Sequence, residues 1–171
     1  MLKAAVITVS DQGAAGLRED KSGEAAKRLL EEGGYAVTAY RVLPDDEDQL
    51  AETLSAMCDE GLADLIITTG GTGFSRRDRT PEATLRVIER QAGGIVQAML
   101  FHSLKTTPRA MLSRAVAGLR GETLIVNLPG SPKAVEENLS CILGSLGHGL
   151  EVLKGEVKEC APAAGGESRR R

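Results

Sequence analysis

A chain of 171 residues is long enough for one domain with a full-sized core. Two Phe, two Tyr and no Trp leave that core to aliphatic side chains and remove the stacking platforms that single-stranded nucleic acid requires. A net charge of −3 likewise argues against a nucleic-acid footprint. Cys58, Cys141 and Cys160 are scattered and odd in number, no C-x-x-C occurs, and His102 and His148 stand alone. This pattern disfavours both a structural zinc site and a disulfide framework. The first apolar stretch is too short for a signal peptide or a membrane span, so a cytoplasmic protein without a membrane partner is predicted.

The β-branched run at residues 4–9 reads as a first buried strand. Residues 22–32 place Ala25, Ala26, Leu29 and Leu30 on one helical face, with Asp20 or Ser22 as cap and Gly33-Gly34 as stop. Residues 35–43 read as a strand ended by Pro44. Residues 46–58 form a second helix with Leu50, Leu54 and Met57 in phase, and residues 65–69 a third strand. A helix opens at Pro81 and runs to residue 90, with Thr80 as cap. A further helix is predicted within residues 95–104, a short strand at 116–119 and a buried strand at 123–127. The last helical region starts near Pro132 and runs to about residue 153, with a break expected at 144–149. One domain over residues 1–157 and a disordered tail over 158–171 complete the reading.

The β-α-β-α-β order predicts a three-layer α/β/α fold with a mostly parallel central sheet. In such sheets ligands sit at the carboxyl edge of the strands. Three loops at that edge carry polar or glycine chemistry: Ser10-Asp11, Pro44-Asp45 and the loop opening at Gly70.

That last loop, Gly70-Gly71-Thr72-Gly73, fails two familiar tests. It lacks the terminal Gly-Lys-Ser/Thr of a Walker A loop, and Arg76 stands where a Rossmann fingerprint needs its third glycine. Alone it reads equally as a tight turn. Joined to Arg76-Arg77-Asp78-Arg79-Thr80-Pro81-Glu82, it has the composition of a phosphate-handling site. Asp46, Glu47 and Asp48 suit a helix N-terminus. Asp45 directly follows the strand end and could face Asp78 across a crevice, where two carboxylates can share Mg²⁺ with phosphates. Arg76, Arg77 and Arg79 read either as solvated surface charge or, for at least one of them, as a phosphate contact. Glu82 fits the helix dipole. The loop from Asn127 to Lys133 is either a plain turn into a helix or a second binding loop at the same edge. No nucleophile elbow or reactive cysteine motif is present, and phosphoryl or nucleotidyl transfer to a phosphate needs none.

Thr69-Gly70-Gly71-Thr72-Gly73, Arg77-Asp78, Thr80-Pro81-Glu82-Ala83-Thr84, Ser113-Arg114-Ala115 with Ala117-Gly118, and Asn127-Leu128-Pro129-Gly130-Ser131-Pro132 together resemble the signature of the molybdopterin adenylyltransferases. These are the MogA-type proteins, related to the G domain of gephyrin, and the similarity runs from about residue 3 to 155. The resemblance implies a molybdopterin-binding-domain-like fold, a homotrimer, and Mg²⁺-dependent transfer of the adenylyl group of ATP to molybdopterin with release of pyrophosphate. It implies Asp45 and Asp78 as the catalytic, metal-binding acids. It makes the glycine loop (Gly70, Gly71, Thr72, Gly73, with Arg77 and Thr80) and the loop of Asn127, Pro129, Gly130 and Ser131 the substrate-binding walls. Ser10, Asp11, Ser113 and Lys133 are further contacts, and a molybdenum insertase is the downstream partner. The resemblance also admits a non-catalytic pterin carrier of the MoaB type, in which Asp45 and Asp78 would not act.

Overall fold

The structure, a computed structural model, describes residues 1–156. Its six strands are β1 (Lys3–Val9), β2 (Ala36–Leu43), β3 (Leu65–Thr69), β4 (Arg90–Gln91), β5 (Ala117–Arg120) and β6 (Thr123–Leu128). They lie in the order β2-β1-β3-β6-β5-β4. The four strands from β2 to β6 run parallel, and β5 and β4 are added antiparallel at one edge. The α-helices are α1 (Asp11–Ala14), α2 (Lys21–Glu32), α3 (Glu47–Asp59), α4 (Thr80–Val87), α5 (Gly93–Leu104) and α6 (Pro132–Leu153), with a 3-10 turn at Pro108–Leu112.

Alternation along the strands builds the two cores. Ala4, Val6, Leu65, Ile67, Leu124 and Val126 face α2, α5 and α6 on one side. Ala5, Ile7, Val9, Ile66 and Ile125 face α3 and α4 on the other. The expected three-layer α/β/α fold with a mostly parallel sheet is therefore present. The chain leaves β1 for β2 on one side and returns to β3 on the other, so the connections diverge between β1 and β3. This is the point at which open α/β sheets leave a crevice at the carboxyl edge.

Local expectations need three corrections. The predicted break in the last helix is absent: α6 is continuous, because Leu139, Ile142, Leu146 and Leu150 keep one buried face in phase past Gly144, Gly147 and Gly149. The helix after Pro81 ends at Val87 rather than residue 90, since Ile88 turns extended and the Glu89 N–H pairs with the Leu119 carbonyl. Thr80 is not a cap. It is the first helical residue, preceded by Arg79, which provides no side-chain cap. The tail expected at 158–171 lies outside the described residues.

Helix α5 is apolar around its circumference, yet only Met99 is buried. Phe101 is 73% exposed, and Leu100, Leu104, Met111 and Leu112 add further exposed apolar surface nearby. No described helix is long and apolar enough to cross a membrane.

Candidate active site

Glycine geometry shapes the crevice first. Gly70 and Gly71 have φ of +96° and +66°, conformations that L side chains rarely adopt. A Cβ on Gly70 would also overlap the Val9 carbonyl oxygen, because the loop after β3 folds directly over the end of β1. The loop after β6 is held against it from the other side: the Thr69 hydroxyl donates to the Pro129 carbonyl at 2.7 Å, and Gly130 packs on the Gly70 Cα. Between these loops and the start of α2 opens a cleft of about 570 Å³. Ser10, Gly70 and Gly130 line it, with Thr8, Arg18, Asp20 and Lys21 among its other walls. A smaller, mostly apolar pocket of about 230 Å³ lies beyond the Pro129 loop, lined by Ser113, Pro129, Val96 and Met99 among others. Of the expected binding residues, Ser10, Gly70 and Gly130 line the first cavity and Ser113 and Pro129 the second.

Asp45 and Asp11 form a reciprocal clasp. The Asp11 N–H donates to Asp45 Oδ2 at 3.0 Å, and the Asp45 N–H donates to Asp11 Oδ1 at 2.9 Å. Arg77 closes it with a two-pronged contact to Asp11, Nε to Oδ2 at 3.0 Å and Nη2 to Oδ1 at 2.8 Å. The loops after β1, β2 and β3 are therefore tied together beside the crevice. The Arg77 hydrogen bond, aided by the Asp45 N–H, holds the Asp11 carboxyl below the usual carboxylate range. Asp45 moves the other way. Burial raises its pKa, and the charges of Asp11 and Asp78 raise it further.

Asp78 sits under the glycine loop. Its Oδ2 accepts the Ser75 N–H at 2.9 Å, and a Cβ on Gly73 would come within 2.9 Å of the same oxygen. The other glycine of the cradle, Gly71, lies between Asp45 and Thr80: a Cβ there would meet Asp45 Oδ1 at 3.3 Å and overlap the Thr80 hydroxyl. That hydroxyl is buried and has no hydrogen-bond partner among the described residues. Gly71 thus packs against Asp45 and the buried Thr80 hydroxyl, and Gly73 against Asp78.

The remaining residues have plainer placements. Thr72 is buried and its carbonyl accepts the Arg114 N–H. Ser10 caps α1 and Ser131 caps α6. Lys133 lies on the exposed first turn of α6 and reaches Glu137 at 3.8 Å. Asp46 caps α3, while Glu47 and Asp48 pair with Arg79 and Arg86, as suits a helix start. Asn127 requires a correction. Its side chain is 0% exposed and fully bonded, so it meets no substrate and supports the site from below. Of the three arginines, Arg77 and Arg79 are paired with acids, whereas Arg76 makes no ion pair with a described residue. It lines a cavity of about 360 Å³ beside Asp78, Arg79 and Arg114. Reading the sequence missed Asp20, Lys21 and Arg18 as cleft walls, and gave Arg114 no role beyond its place in the Ser113-Arg114-Ala115 motif.

Comparison with known proteins identifies the family. Residues 5–148 match the family described as a probable molybdopterin binding domain. The chain belongs to that family. It is 39% identical over 158 residues to the molybdopterin adenylyltransferase of Helicobacter pylori, covering 90% of this chain and 89% of the relative. It is 38% identical to gephyrin of Dictyostelium discoideum over 92% of this chain, which is 23% of that longer protein. Among solved structures, the molybdopterin biosynthesis enzyme MoaB of Thermus thermophilus superimposes with a TM-score of 0.85 at 43% identity, over 91% of this chain and 98% of that one. Sequences of this molybdopterin-binding family therefore share the whole described domain.

Proposed function

We propose that this protein is a molybdopterin adenylyltransferase: it transfers the adenylyl group of ATP to the terminal phosphate of molybdopterin and releases pyrophosphate. The observation that carries the reading is that Asp45 and Asp78 lie against the same glycine loop, Asp45 at Gly71 and Asp78 at Gly73, close enough for the Asp78 charge to raise the Asp45 pKa. The naming of the H. pylori relative supports the reaction.

The donor set fits Mg²⁺. The carboxylate oxygens of Asp45 and Asp78 are hard donors and lie against neighbouring glycines of one loop, Gly71 and Gly73. Among the described residues no three His, Cys, Asp or Glu side chains converge on one point. Mg²⁺ commonly relies on one or two carboxylates and takes its other ligands from substrate phosphates and water. Bound there, the cation would supply neutralisation of charge on the transferring phosphate. The protein does the rest by positioning. A pterin phosphate monoester is largely ionised at pH 7, its second pKa being near ~6, so its oxygen attacks the α-phosphorus without a protein nucleophile. One P–O bond forms as the bond to the leaving pyrophosphate breaks. Gly70 and Gly71 let backbone approach the phosphates, and Arg76 and Arg77 stand beside Asp78 to hold anionic oxygens.

The exposed apolar face of α5 supports self-association, which we read as a homotrimer; a molybdenum insertase downstream and a cytoplasmic location go with the proposed reaction and not with any feature of this face. Incubation with Mg²⁺, ATP and molybdopterin should release pyrophosphate, and chelation of Mg²⁺ should stop it. Pterin binding without pyrophosphate release would instead indicate the carrier reading. Sedimentation as a stable monomer would contradict the trimer.

A further inference from the structure

We propose that Arg114 is a positioning residue that sets the geometry of Asp78. Arg114 comes from a distant part of the chain, between the 3-10 turn and β5, yet its polar contacts fall on the loop that carries Asp78 and on Glu82 just beyond it. Its N–H donates to the Thr72 carbonyl at 2.9 Å. Its Nε donates to the Gly73 carbonyl and its Nη2 to the Asp78 carbonyl, each at 2.7 Å. Its Nη1 bonds the Glu82 carboxylate in the first turn of α4. One planar guanidinium therefore spans both ends of the loop from Gly73 to Asp78 and anchors them to the helix that follows. Burial raises the Glu82 carboxyl, but the Arg114 hydrogen bond, the backbone N–H of Glu82 and the charges of Arg114 and Arg79 together hold the group below the ordinary glutamate range.

The anchor is itself fixed to the sheet. Two residues beyond Arg114, the Val116 N–H donates to Asn127 Oδ1 and the Val116 carbonyl accepts the Asn127 N–H. Hydrogen bonds thus fix Val116 to Asn127 of β6, and the two-residue step of chain back to Arg114 carries that anchorage to the backbone of Asp78. The loop has little internal support of its own: Ser75 N–H to Asp78 Oδ2, Asp78 N–H to the Ser75 carbonyl, and Arg77 N–H to Ser75 Oγ. Lysine cannot replace this contact, since a single ammonium cannot reproduce a fork aimed at acceptors on both sides.

The inference rests on the reading of Asp78 as a metal-binding, catalytic acid, and three measurements on the full chain test it. In Arg114→Lys, the Mg²⁺ concentration needed for half-maximal pyrophosphate release should rise about 10–100-fold, the range seen when partners of a metal ligand are removed. Mn²⁺ binding to the protein alone, followed by electron paramagnetic resonance, should weaken by a similar factor, with molybdopterin affinity unchanged. Hydrogen exchange at the Ser75 and Asp78 amides should accelerate while β1 and β3 amides stay protected, which separates loop release from general unfolding. Wild-type Mg²⁺ requirement and exchange in Arg114→Lys, alongside an inactive Asp78→Asn, would overturn this inference alone. Wild-type turnover in Asp78→Asn would overturn it together with the reading beneath it.

Discussion

Replacing Asn127 by Ala probes the buried support of the site. The Asn127 amide donates to Thr68 Oγ1 and Thr84 Oγ1 at 2.9 Å each and accepts the Val116 N–H at 3.0 Å. A backbone N–H can only donate, so the atom facing Val116 must be the amide oxygen, and the orientation follows from the network. Three hydrogen bonds at about 1 kcal/mol each give a loss of about 3 kcal/mol. The substitution also leaves the part-buried Val116 N–H without its acceptor, which pushes the cost upward rather than down. Against a typical total stability of roughly 5–15 kcal/mol this is a large fraction. Urea denaturation read by circular dichroism should show the loss with an unchanged denaturant slope. The thermal midpoint should fall by about 6–12 °C. A loss below about 1 kcal/mol would refute the reasoning, because it would mean that the network carries no net stability.

Two further substitutions test the loops and the acids. Gly70→Ala must place a side chain at φ +96° against the Val9 carbonyl, so a destabilisation of about 3 kcal/mol is expected in the same urea experiment; wild-type stability would show that the loop relaxes freely. Asp45 has a folded pKa above its unfolded one, so folding favours its protonated form, and its ionisation costs stability as pH rises through that pKa. At pH 7 Asp45→Asn should therefore match or exceed wild-type stability, by on the order of 1 kcal/mol, with the advantage shrinking as pH falls below the Asp45 pKa. A pH series of thermal melts checks this, and a variant less stable than wild type at pH 7 would contradict the assigned cost of ionising a buried Asp45.

The apolar runs of β1, β3 and β6 and the Asp20 cap of α2 are local signals, and they were legible in the sequence. The pairing of β4 with β5 was not, because a two-residue strand carries no periodicity. The continuity of α6 was hidden for a different reason: burial of Leu146 and Leu150 outweighs the poor helix propensity of three nearby glycines. At the site, Asp45, Asp78 and the glycine loop stood out as residue types at strand ends. The contacts that organise them did not. Asp11 and Arg77 are 66 positions apart, and Arg114 lies 36 positions from Asp78, so only the folded chain reveals the clasp and the anchor. Asn127 illustrates the converse: a polar residue beside a glycine-proline loop suggests a ligand contact, yet the alternation of β6 turns it into the interior.

The central claim is that Asp78 acts on the transfer of the adenylyl group and not on holding the pterin. Its most direct test is pyrophosphate release by Asp78→Asn with ATP, molybdopterin and saturating Mg²⁺, measured beside molybdopterin affinity in the same preparation. The account predicts a rate reduced by at least about 100-fold, with molybdopterin affinity close to that of the wild type. Undiminished pyrophosphate release would contradict it.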